Sequence, residues 1–184
     1  MSTRAALRFE EWTTNLGGDL EATFALSGDE RIHAQGRRFL AAALFYQLQA
    51  LDLIPDHEHA GSVDDAIVLR VAYGLCAEHA AGASVDDAAR IARMTNEEDE
   101  VRAFLGDALY AKLRRMVLEL AAKEVRGRTT DQVIVKGRPR DDLKRELDSN
   151  IKRIKKVDPG TDAAANEALE VSVKSWFSMK LGAA

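Results

Sequence analysis

Seven residues between positions 52 and 65 carry side chains that ligate metals: Asp52, Asp56, His57, Glu58, His59, Asp64 and Asp65. Carboxylates combined with imidazoles suit a divalent ion, and Asp52, Asp56, His57, His59, Asp64 and Asp65 are the candidate ligands. Most of them also have a plainer purpose. Pro55 ends a helix, because the residue before a proline is pushed out of the α region. Asp56 suits a turn and Gly61 supplies a permissive backbone, while Asp64 and Asp65 complement the positive N-terminus of a following helix. Only Asp52 lacks such a purpose, since a carboxylate near a helix C-terminus is unfavourable. The sequence therefore favours a structural helix–loop–helix, marked by Asp52, Pro55, Asp56, Gly61, Asp64 and Asp65, over a metal centre.

A second set of residues has the chemistry of anion recognition. Lys136-Gly137-Arg138-Pro139-Arg140 resembles the core of an AT-hook, in which an extended Arg-Pro segment lies in the narrow minor groove of A·T-rich DNA. Lys152, Arg153, Lys155 and Lys156 extend the basic character further. Asp141 and Asp142 follow at once and repel phosphate, and Pro139 is equally well explained as the first position of a helix. Binding through these residues is thus an alternative to the bland reading of a solvated helix face.

Catalytic templates fail. The chain has no glycine-rich phosphate loop, His-Glu-x-x-His or Gly-x-Ser-x-Gly motif, and its single cysteine, Cys76, lies in an apolar run where a thiol is more often core than nucleophile. No catalytic residue and no cofactor are expected. His79 has a structural reason in the dipole of a helix C-terminus, and Trp12 and Trp176 read as core anchors.

The elements that must position these residues follow from composition and periodicity. The chain has 184 residues, 46% hydrophobic and 30% charged, with 12 Gly and 3 Pro. That scarcity of breakers disfavours sandwiches and barrels and favours long helices. The charge is uneven. Residues 1–110 carry 9 basic against 19 acidic side chains, residues 111–156 carry 15 against 7, and residues 157–184 carry 2 against 4. An acidic body with a basic arm can bind a polyanion, or can pair its two surfaces within or between molecules.

Apolar recurrence and breakers predict a short helix over 4–16 ended by Gly17-Gly18, further helix over 19–26, and a helix over 29–53. A second apolar helix follows over 64–79, then a short one from Ser84 to Met94 and, with Thr95-Asn96-Glu97-Glu98 as its cap signal, a long one over 97–126. Val133-Ile134-Val135 marks 129–136 as the one strand candidate. Helices resume from Pro139, with Leu143, Leu147, Ile151 and Ile154 as the buried row, and over 162–181. The fold class is all-α, a bundle of six or seven helices. The two apolar helices at 38–53 and 64–79 form a central hairpin under the helix at 97–126, with Leu44, Leu48, Ile67, Val71 and Leu75 in the core. Residues 1–127 read as the helical core domain and 128–184 as a basic helical extension packed on it.

The string Asp52-Leu53-Ile54-Pro55-Asp56, followed by Gly61-Ser62-Val63-Asp64-Asp65 and the apolar Ala66-Ile67-Val68-Leu69, resembles the signature of the bacterial YkvA-like family, a domain of unknown function. The resemblance covers residues 38–78. It implies the paired apolar helices and supplies no catalytic residue. Family members often look membrane-associated, whereas this chain replaces the family's apolar loop with His57-Glu58-His59-Ala60 and its Ser-Pro with Gln49-Ala50. Peripheral membrane contact is therefore disfavoured. The longest uncharged stretch, 39–51, is shorter than the roughly 20 residues that span a bilayer, so no transmembrane insertion is expected. The charged N-terminal segment lacks the apolar core of a secretory signal, and a cytoplasmic location is expected. The function these features imply is a non-catalytic interaction or regulatory module with a protein partner or homo-oligomer; the alternative is a nucleic-acid-binding protein using the basic segment 111–156, and the second alternative a metal-binding domain or metal-dependent enzyme at the loop 52–65.

Overall fold

The structure, a computed structural model, describes residues 3–49, 52–160 and 162–182. Among the described residues the fold is all-α, with eight helices and no strand. Residues 50 and 51 of the expected first hairpin helix lie outside the described residues.

Helix α1, Thr3–Ser27, runs straight through Gly17-Gly18, where the sequence predicts an end. Its buried row of Ala6, Phe9, Thr13, Leu16, Leu20, Thr23 and Ser27 repeats every three or four residues across the glycines. Two glycines cost a helix about 1 kcal/mol each relative to alanine, which that continuous apolar stripe offsets. Helix α2, Ala34–Tyr46, starts later than predicted because Asp29 holds the turn before it, accepting from the Arg31 amide at 3.0 Å. His33 then caps α2, with Nδ1 accepting from the Gln35 amide at 3.2 Å.

Helix α2 and helix α3, Val63–Ala77, are buried nearly all round, so they form the centre of the bundle. Leu44, Leu48, Ile67, Val71 and Leu75 are all buried. Helix α3 lies between α2 and α4, and α5 packs on α2.

Helix α4, Val85–Leu105, is one element where two were predicted. Thr95 does not cap a new helix. Its hydroxyl donates back to the Ile91 carbonyl at 2.9 Å, and the buried row Ile91, Met94, Glu97, Glu98, Val101, Leu105 passes through it. The break falls instead at Gly106, whose φ of 81° is a left-handed conformation that favours glycine. Helix α5, Asp107–Ala121, starts immediately after it.

The predicted strand at 129–136 is instead a single helical turn, α6, Thr130–Val133. The Thr129 hydroxyl accepts from the Gln132 amide, and the Gln132 side chain accepts from the Thr129 amide at 2.9 Å. This reciprocal cap satisfies two backbone donors locally and buries Val133 and Ile134 while leaving Val135 exposed. Helix α7, Arg138–Ile151, packs on α1 and α6, and helix α8, Ala163–Gly182, on α1 and α5. No helix among the described residues is long and apolar enough to cross a membrane.

Candidate functional site

At the entrance to the hairpin, three groups form one chain of hydrogen bonds. The Leu53 amide donates to the Tyr46 hydroxyl at 2.7 Å, and that hydroxyl donates to Asp64 Oδ2 at 2.6 Å. The Ile54 amide donates to the same oxygen at 3.0 Å. Asp64 is fully buried, so without these donors its charge would face a heavy desolvation cost. The loop that the sequence assigns to Pro55 is thus fastened from the far side by the first turn of α3. Gly61 completes it, because a Cβ there would lie 2.8 Å from the Pro55 carbonyl oxygen and the Asp56 Cα.

Burial raises the Asp64 carboxyl to about 7 against the pull of Tyr46 and the Ile54 amide, with nearby Asp52 adding to the rise. Half-buried Asp52 is pushed up to about 6, by desolvation first and Asp56 second. Asp65 is raised as well, by burial and then by Asp64, Asp52 and Asp56. The Tyr46 phenol is held well above its ordinary value by burial and the adjacent carboxylate. The four aspartates therefore share one neighbourhood, in which Asp52, Asp64 and Asp65 favour protons. Gln47 lies buried at the end of α2, where its side-chain amide opposes the rise at Asp65, while its main-chain carbonyl accepts from Asn150 Nδ2 at 2.7 Å.

The histidines do not join this group. His57 is largely exposed, 3.6 Å from Glu58, and His59 Nε2 lies 2.9 Å from the Asp158 carbonyl oxygen. Among the described residues no group of three or more His, Cys, Asp or Glu side chains is arranged to hold a metal ion. Asp65, Asp56 and His57 instead face Arg153 and Lys155 across a cavity of about 310 Å³.

The basic arm divides into two parts. Arg140 turns inward: its guanidinium donates to the Ser27 hydroxyl at 3.1 Å, the Val133 carbonyl at 2.8 Å and the Phe24 carbonyl, and stacks 4.0 Å from the Phe24 ring centre. It clamps α7 to the end of α1. Arg138 and Pro139 lie in the first turn of α7, so the Arg-Pro step is helical at the point where an AT-hook is extended. The other candidates, Lys136, Arg138, Lys152, Arg153, Lys155 and Lys156, are exposed.

The ion pairs of the basic segment are mostly internal. Arg126 and Arg128 pair with Glu146, Arg138 and Arg145 with Asp142, and Lys144 with Asp148. Burial pushes the Glu146 carboxyl up, but Arg128 and Arg126 outweigh it and leave the group below the usual carboxylate range. Among the described residues, only the pair Arg114–Glu78 joins a basic side chain of 111–156 to an acidic one of the first 110 residues. The acidic body therefore does not neutralise the arm.

One buried charge cluster lies outside every motif of the sequence. Arg70 is fully buried, 2.7 Å from Glu97 and 4.0 Å from Asp19, and it lies 4.3 Å from the Trp12 ring centre. Arg93 bridges the same two carboxylates at 2.7 and 2.8 Å. Desolvation lowers Arg70 to about 10 despite those partners. The only signal for it is an all-round apolar helix that leaves no solvent face for a cation.

Compared with protein-family models, with curated proteins and with solved structures, the chain matches none.

Proposed function

We propose that the protein is a non-catalytic helical interaction module, located in the cytoplasm, whose YkvA-like hairpin forms its rigid centre and whose α7 side engages an acidic partner. The partner whose chemistry complements that side is a second copy of this chain. The observation that carries this reading is the charge left over after folding. Lys136, Lys152, Arg153, Lys155 and Lys156 are exposed and, among the described residues, form no ion pair, while Glu10 and Glu21 on α1 and Asp86 and Asp99 on α4 expose the opposite sign. Complementary patches steer association and fix its orientation. The hairpin's own polar groups support the same reading, because Tyr46 and Asp64 are engaged in fastening a loop.

The same exposed lysines favour a second reading, duplex nucleic acid. The two are separated by titrating labelled chain with unlabelled chain and, in parallel, with duplex DNA over a range of salt. Self-association abolished by Lys152→Glu with Lys156→Glu supports the module. Tighter binding to DNA, with a steep salt slope lost in the same variant, replaces it with the second reading.

A further inference from the structure

A groove of about 690 Å³ runs along one face of α7. Arg138, Asp142, Arg145, Glu146 and Ser149 form its long wall, and Arg126, Gly127 and Arg128 close it from the opposite side. The span from residue 138 to residue 149 is roughly 16 Å at the helical rise.

Four guanidiniums meet two carboxylates here. Glu146 holds both Arg126 at 3.1 Å and Arg128 at 2.8 Å, and Asp142 holds Arg138 at 3.7 Å together with Arg145. Each carboxylate is shared, so the groove keeps a local excess of two positive charges, and most guanidinium N–H donors remain free. Arg128 is the most telling. It is 7% exposed, it lines the groove, and Glu146 fixes its guanidinium there at 2.8 Å.

The backbone opposite α7 is shaped to hold these arginines. Arg126 has φ of 51° and Gly127 φ of 75°, in a two-residue turn closed by reciprocal Val125 and Arg128 backbone bonds at 2.8 and 3.0 Å. Arg126 is the one non-glycine residue with positive φ among the described residues, in a region that L side chains occupy at some cost. The strain keeps Arg126 and Arg128 on either side of a rigid turn facing the helix.

We infer that this groove is a binding site for a doubly charged phosphoryl group, a phosphomonoester or diphosphate carried by a soluble small molecule. Planar guanidiniums recognise phosphate oxygens bidentately, and the excess of two charges matches a dianion. The inference goes beyond the interaction reading and stands on different residues, so either can fail alone.

Isothermal titration of the full chain with inorganic phosphate, inorganic pyrophosphate and a nucleoside diphosphate, at constant ionic strength against chloride, tests it. Pyrophosphate is expected to bind saturably at one site. The exposed pair Arg138→Ala with Arg145→Ala is expected to weaken that binding by about tenfold or more, since each charge-assisted bond lost is worth that order, with the urea midpoint unchanged. A nucleoside diphosphate binding more tightly than pyrophosphate assigns the phosphate to a nucleotide, and equal affinity assigns it to the free anion. Heats that do not exceed those of chloride, or pyrophosphate binding unchanged in the double variant, overturn the site. Retention on duplex DNA without pyrophosphate binding, lost in Arg138→Ala with Arg145→Ala, also overturns it and makes the groove a nucleic-acid contact.

Discussion

The phenol of Tyr46, at the end of α2, donates to the Asp64 carboxylate in the first turn of α3 at 2.6 Å, and the same oxygen atom of Tyr46 accepts the Leu53 amide. One hydroxyl thus ties together two helices and the loop between them. Tyr46→Phe keeps the ring and leaves two buried polar groups short of a partner. Stability should fall by roughly 1–3 kcal/mol, read as the shift in urea midpoint at unchanged slope. A midpoint equal to the parent's would show that the bond does not hold the loop.

The aspartates make stability depend on pH in a definite direction. Asp64 and Asp52 titrate at about 7 and about 6 in the fold, chiefly because of burial, against roughly 4 in an unfolded chain. A carboxyl raised on folding favours the folded state only while it is protonated. Its contribution is complete below about pH 4 and is lost as pH rises through about 6 to 7. The thermal midpoint should therefore fall between about pH 5 and pH 8, and the fall should shrink in Asp64→Asn, which still accepts from Tyr46 and Ile54. A midpoint that rises over that window contradicts the assignment.

Arg70 is expected to be essential to the core. Removing one partner of a buried ion cluster leaves the others uncompensated, at a cost of about 3–5 kcal/mol. Arg70→Ala takes the fully buried cation away from Glu97 and Asp19, so chemical denaturation should show a loss of that size. A variant as stable as the parent would mean that Arg93 alone satisfies both carboxylates.

The apolar centre gives a simpler expectation. Leu44 in α2 and Ile67 in α3 are both fully buried, and truncation of either to alanine should cost roughly 2–5 kcal/mol. Urea midpoints matching the parent's would remove the hairpin from the core.

The reach of the sequence differs between these features for physical reasons. Long apolar runs can be buried only in a helix covered on all sides, so the places of Leu44 and Ile67 were legible. Gly17-Gly18 and Thr95 misled because local breaker and cap signals compete with a buried row, and the row wins when it is continuous. The opposite happened at 129–136, where the Thr129–Gln132 cap outweighed the β preference of Val133 and Ile134. The aspartate motif was legible as a helix–loop–helix, yet its fastening was not, since Tyr46 lies outside the motif and 18 positions from Asp64. The arginine groove needs α7 brought beside the turn at Arg126 and Gly127, and no local pattern encodes that approach.

The central claim, that unneutralised charge flanking α7 recruits a second copy, is tested most directly by sedimentation velocity of the full chain over a concentration series at low and high salt. At about 50 mM salt, where the Debye length exceeds 10 Å, the weight-average coefficient should rise with concentration. At about 500 mM salt it should be flat and monomeric. The variant Lys152→Glu with Lys156→Glu should be monomeric in both. A parent chain that is monomeric at every concentration in low salt, or an association unchanged by salt and by the variant, contradicts the account.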